Sequence, residues 1–159
     1  MAQPAVLETQ VKAAYLFKFA GFVEWPEGSF ARPDSPILIG VAGNDALADQ
    51  LELLVAGRNV AGRTLTVRRV KRGEPLGGVH ILYLGARERG SADLLDAVRG
   101  QAVLTVSDAG DGAPACCMIS FVMEQDRLRF DVALKQVNAS RLRISARMLA
   151  AAHRVQGTS

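Results

Sequence analysis

The chain has 159 residues, 49% of them hydrophobic, with 19 basic against 16 acidic side chains and a net charge of +3. That length and apolar content suit one domain able to bury roughly two thirds of its unfolded surface without a metal or a disulfide framework, and they exclude a disordered chain. No apolar run approaches the ~20 residues of a membrane-spanning helix.

The first predicted element is a helix over residues 11–24. Val11, Ala14, Tyr15, Phe19, Phe22 and Val23 recur at spacings of three and four as one apolar stripe, and Lys12 and Lys18 are left to point outward. Pro26 disfavours helical geometry at Trp25, so the helix stops near Glu24 with a large indole at its exit. Residues 37–41 are a continuous apolar run of strand length. Gly43, Asn44 and Asp45 then turn the chain into a helix over 46–56, with Leu47, Leu51, Leu54 and Val55 inward and Gly57 as its stop. A strand at 65–70 alternates imperfectly, as an edge strand does.

Residues 79–84 predict a third strand, Ser91 caps a helix to Val98 with Leu94, Leu95 and Val98 inward, and 102–106 form a fourth strand. The rhythm then changes. Residues 116–123 and 128–134 are β runs close enough for a hairpin, and two helical segments follow at 135–140 and 145–155. The pattern predicts an α/β single domain with a Rossmann- or flavodoxin-like mixed sheet: four parallel strands in the order two, one, three, four, a C-terminal antiparallel hairpin, and flanking helices. Winding then reverses between strands one and three. The crevice there is lined by Gly43, Asn44, Asp45, Gly85 and Ala86, with Ser107 and Asp108 nearby; Asn44, Asp45, Ser107 and Asp108 are the candidate residues for a small ligand in it.

Ser107, Asp108 and His80 are the residue types of a hydrolase triad, but no Gly-x-Ser-x-Gly elbow is present and His80 falls at the far end of the sheet from Ser107. The residues around Gly40 and Gly43 match neither the dinucleotide fingerprint nor a phosphate loop. A phosphoacceptor domain needs an aspartate where strand three ends Tyr83-Leu84-Gly85. Two histidines, His80 and His153, with adjacent Cys116 and Cys117 lack the paired spacing of a zinc site. Cys116 and Cys117 point to opposite faces of a strand and are expected as separate free thiols. No cofactor and no catalytic residue is assigned.

The basic residues toward the C-terminus, Arg127, Arg129, Lys135, Arg141, Arg143, Arg147 and Arg154, are interrupted by Asp131 and have little aromatic interleaving. They read as a solvated or partner-facing surface rather than a nucleic-acid face. Phe22, Glu24, Trp25 and Phe30 form an aromatic cluster with an acid at a chain reversal, a composition that seals a core or anchors an interface, and Glu24 can pair with Arg129 or Arg143. Phe22, Glu24, Trp25, Arg129 and Arg143 are therefore the candidate partner surface.

Residues 11–26, VKAAYLFKFAGFVEWP, resemble the opening helix of the YfiR-like periplasmic proteins, which reads roughly VKAAFLYNFAKFVEWP. Val103-Leu104-Thr105-Val106-Ser107-Asp108, then Met118-Ile119-Ser120-Phe121, Arg129-Phe130-Asp131 and Arg143-Ile144-Ser145-Ala146, resemble the family's later blocks in order and spacing. The resemblance spans residues 6–155, leaving 1–5 and 156–159 as flexible termini. Two departures stand out: Cys116-Cys117 replaces a glycine pair, and Val79 replaces a cysteine found in many members. The resemblance implies a periplasmic, non-enzymatic regulator that binds the periplasmic sensor part of an inner-membrane diguanylate cyclase and represses it, so controlling cyclic di-GMP and biofilm formation. It also implies a homodimer and an outer-membrane sequestering partner. For the recurring Ser107-Asp108 pair it implies a structural turn or a small-ligand contact. Ala2-Gln3 looks like a signal-peptidase junction, with Met1 added in place of a removed signal peptide. A small-molecule-binding module and, behind it, a Ser107-dependent hydrolase are the alternative functions.

Overall fold

The first helix, α1 (Pro4–Phe22), gives way at once to a short strand, β1 (Val23–Glu24). In this computed structural model the described residues are 4–26, 28–30, 34–60, 62–71, 78–85, 91–98, 101–108, 117–125, 127–152 and 154–156, with backbone alone at 4–7, 91–93, 124 and 156. β2 (Ile37–Ala42) leads into α2 (Asp45–Val55), whose Asn44 cap accepts from Leu47 N at 3.0 Å and whose end is followed by Gly57 at φ 73°. β3 (Asn59–Val60) and β4 (Arg63–Arg69) follow, then β5 (Ile81–Leu84), α3 (Ser91–Val98) and β6 (Leu104–Asp108). β7 (Ile119–Glu124) and β8 (Arg127–Ala133) make the hairpin. α4 (Leu134–Ala139), β9 (Arg143–Ile144), α5 (Ala146–Ala151) and β10 (Arg154–Gln156) complete the chain.

Eight of these strands form one sheet in the order β10-β8-β7-β6-β5-β2-β4-β3, parallel from β4 through β7 and antiparallel between β7 and β8. The predicted order two, one, three, four is the central run β4-β2-β5-β6. The two middle strands, β2 and β5, are apolar along their whole length because both of their faces are covered. Ile81 and Tyr83 enter a large core with Leu16 and Phe19 of α1, Leu47 and Leu51 of α2, Val137 of α4 and Met148 of α5. Leu82 and Leu84 enter a smaller core with Leu94 and Val98 of α3. Within the large core Tyr15, Phe19, Phe121 and Phe130 pack ring to ring with centroids 5.1 to 6.1 Å apart, Phe130 meeting Tyr15 and Phe19 edge-on.

Four expectations are corrected. α1 ends at Phe22 rather than near Glu24, because Val23 and Glu24 pair antiparallel with Ile144 and Arg143 and Ser145 N donates to the Phe22 carbonyl at 2.8 Å. The last helix stops at Ala151; residues 154–156 instead lie parallel to β8 as the edge strand β10. The α1 stripe is turned, so that Lys12, Ala13, Leu16, Phe19, Ala20 and Val23 are buried while Val11 is 40% exposed. Lys12 thus points inward, drawn by a carboxylate at the end of β6. Lastly, Cys117 is disulfide-bonded and buried, so it does not stand as the expected free thiol; Cys116 lies outside the described residues.

Candidate functional site

Two polar constellations occupy opposite ends of the parallel strands. At the C-terminal end, Asp108 closes β6. Its Oδ2 accepts from Tyr83 Oη at 2.5 Å, and its Oδ1 lies 2.8 Å from Lys12 Nζ, which also donates to Glu8 Oε2 at 3.1 Å, one helical turn back. The Lys12–Asp108 contact is an ion pair by distance but is poorly aligned as a hydrogen bond, leaving the fully buried Oδ1 without an aligned donor. Burial first, then the charge of Asp108 and the hydrogen bond to it, push the Tyr83 phenol far above its ordinary range; a hydrogen bond from the Asn44 side chain opposes them. Tyr83 stays neutral and donates. A cleft of about 160 Å³ opens here between Glu8, Lys12, Asp108, Phe121, Val122, Met123 and Leu128.

The predicted crevice residues are therefore divided. Asn44 caps α2 and touches Tyr83; Asp108 belongs to the Lys12 constellation; Ser107 is buried within β6. Asp45 faces solvent and lies 3.8 Å from Arg69, which also binds Asp49 and Glu52 across α2 and β4. Gly85 donates to the Ala42 carbonyl at 2.8 Å, and a Cβ there would meet the Gly43 carbonyl oxygen at 2.7 Å, so the backbones close on each other where the winding reverses. Ala86 lies outside the described residues. His80 precedes β5, whereas Ser107 pairs with Leu84 at its far end, so the two are separated by four residues along the strands, roughly 13 Å. Ser107 and His80 do not pair.

At the N-terminal end of the sheet His80 organises the chain between Trp25 and Leu38. Its Nδ1 accepts from Leu38 N at 3.1 Å, which puts the ring proton on Nε2, facing the Ser29 carbonyl at 3.0 Å. Its own carbonyl accepts from Trp25 Nε1 at 3.2 Å and Leu104 N at 2.9 Å. Phe30 stacks on the His80 ring with centroids 4.2 Å apart, Arg63 lies 3.6 Å from the Phe30 centroid, and Trp25 meets both rings edge-on. Burial lowers the His80 pKa; the Ser29 hydrogen bond opposes this and the Arg63 charge reinforces it. With both ring nitrogens engaged by backbone groups, the imidazole serves as a clamp.

Of the predicted partner surface, Glu24 and Arg143 face each other directly in the β1–β9 register. Both line a cleft of about 330 Å³ with Trp25, Pro26 and Arg141. Phe22 packs half-buried on the large core. Arg129 is placed elsewhere: its guanidinium donates to the Ala151 carbonyl at 3.4 Å, at the end of α5. The inward role of Lys12 and that of Tyr83 are not anticipated by the sequence, and Arg141 is anticipated only as one of a basic run. Tyr83 alone carried a signal, a phenol inside a wholly apolar strand, whose hydroxyl needs a buried partner.

Among the described residues no cluster of histidine, cysteine and carboxylates could hold a metal ion, and no helix is long and apolar enough to cross a membrane. No curated protein matches the chain. The model of the YfiR/HmsC-like family matches residues 9–153, which include the α1 stripe, the Trp25-Pro26 exit, the Ser107-Asp108 strand end and the β7–β8 hairpin. The chain belongs to the YfiR/HmsC-like family, whose members are periplasmic regulators of the diguanylate cyclase pathway.

Proposed function

We infer that this protein is a periplasmic, non-enzymatic regulator that docks on the periplasmic sensor part of an inner-membrane diguanylate cyclase and represses it, lowering cyclic di-GMP and biofilm formation. The observation that carries the reading is Trp25: a half-buried indole fixed through its Nε1 to the His80 carbonyl, at the rim of a cleft shared with Glu24, Arg141 and Arg143. A rigid aromatic ringed by charge is the composition of an interface anchor. Repression follows by linkage, since a ligand that binds only the inactive arrangement of a sensor shifts its population there. An outer-membrane protein that sequesters the regulator relieves the repression. The test is co-purification of the protein with its membrane sensor, with Trp25→Ala weakening capture and raising cellular cyclic di-GMP while the variant remains folded.

A second reading, a small-ligand module, is favoured by the cleft beside Lys12 and Asp108. Stabilisation by a metabolite, sensitive to Asp108→Asn, tests it through the mass-action shift of melting. A hydrolase using Ser107 is not favoured, since His80 lies four residues away along the paired strands.

A further inference from the structure

Two clefts at the N-terminal end of the sheet share Pro26 and Arg141. The one bounded by Glu24, Trp25 and Arg143 runs on past Arg141 into a second, of about 320 Å³, whose walls include Ser29, His80 and Gln101. Among the described residues Glu24 is the only carboxylate in this trough, and Arg143 directly opposite offsets it. Among the described residues Arg141 is the charge left without an opposite in the trough. Its guanidinium is exposed and meets no carboxylate or carbonyl among the described residues.

The backbone at Arg141 is the second observation. Arg141 sits at φ 64°, just beyond the end of α4, where Arg141 N donates to the Asn138 carbonyl at 3.0 Å and Leu142 N to the Val137 carbonyl at 3.3 Å. Leu142 is buried and holds this geometry in place. Such a helix ending favours glycine, since a side chain in the left-handed region is sterically disfavoured. An arginine carried at that cost, opening on a trough, points to a role for its side chain.

We propose that the trough receives an extended acidic segment of the partner protein, one carboxylate engaging Arg141 and the neighbouring residue lying against Trp25 and Pro26. This rests on the docking reading above and names the chemistry of what docks. The guanidinium supplies paired donors for a carboxylate, and Trp25 supplies an apolar platform already held by His80.

Trp25 is the only tryptophan, so its emission reports on the trough in the unlabelled protein. Titration with hexaglutamate at low ionic strength is expected to shift that emission saturably, and hexaglutamine is expected not to. Arg141→Gly suits the left-handed backbone, so it is expected to melt no lower than the parent while weakening hexaglutamate binding by about tenfold or more. Lys135→Gln, on exposed α4 surface, is the control for general charge loss. Equal responses to the two peptides, unchanged affinity in Arg141→Gly, or displacement of hexaglutamate by millimolar inorganic phosphate would each overturn the proposal, the last by revealing a small-anion site. In cells the two readings separate: if Trp25→Ala releases the cyclase and Arg141→Gly does not, docking stands and the acidic segment falls. If neither does, the docking reading itself has failed.

Discussion

Lys12 Nζ lies 2.8 Å from Asp108 Oδ1, so the middle of the first helix is tied to the C-terminal end of β6 by a charge pair whose lysine side chain is only 7% exposed. Removing one member of such a pair leaves an uncompensated charge in a poorly solvated site. Lys12→Met is expected to cost about 3 kcal/mol, and adding Asp108→Asn, which keeps an acceptor for Tyr83, is expected to recover much of the loss. Urea denaturation of both singles and the double checks this. Additive losses would show that the pair is not coupled.

The aromatic core makes a second expectation. Phe19 is fully buried, stacks with Tyr15 and Phe121 and meets Phe130 edge-on, whereas Phe22 is only partly covered. Phe19→Ala should therefore cost about 3–5 kcal/mol and Phe22→Ala distinctly less. Melting curves that rank them the other way would place Phe22, not Phe19, at the centre of the core.

How much of this was legible depends on how local each feature is. The central strands and α2 are written in short-range signals, namely apolar runs, the Asn44 cap and the Gly57 stop, and the order β4-β2-β5-β6 follows from crossover connections. The β1–β9 pairing, the parallel edge strand β10 and the inward turn of Lys12 each need a partner far along the chain, and no local pattern encodes them. Val23 and Glu24 continue the helical spacing; only Arg143 and Ile144 make them a strand. The candidate surface divides in the same way: Glu24, Trp25 and Arg143 converge, while Arg129, read as part of the same basic run, faces α5.

The His80 clamp predicts a pH response of stability. Its folded-state pKa lies below the ordinary 6.5 of the unfolded chain, so the unfolded state takes up the proton first. The sign follows: the contribution is fully present above pH 6.5 and is lost as pH falls from there through the lower folded-state value. Protonation would also place a donor at Nδ1 against the Leu38 N–H. Melting temperature should drop as pH falls below about 6.5 in the parent and drop less in His80→Gln. Parallel pH profiles for the two would remove His80 from the account.

Self-association is the next expectation. The family reading implies a two-fold dimer burying at least ~1,000 Å². Light scattering at tens of micromolar should give twice the 17.0 kDa chain mass. Cys117 is already disulfide-bonded and buried at 1% exposure, so it is not available to bridge two copies, and the dimer should persist under reductant. A monomeric mass, or dissociation on reduction, would contradict this.

Repression of a cyclase is the central claim, and cyclic di-GMP in cells tests it most directly. Deleting the gene should raise cyclic di-GMP, the parent protein supplied in the periplasm should restore the low level, and Trp25→Ala, confirmed as folded, should restore it poorly, consistent with an anchor worth ~2 kcal/mol or more. Unchanged cyclic di-GMP after deletion would contradict the account.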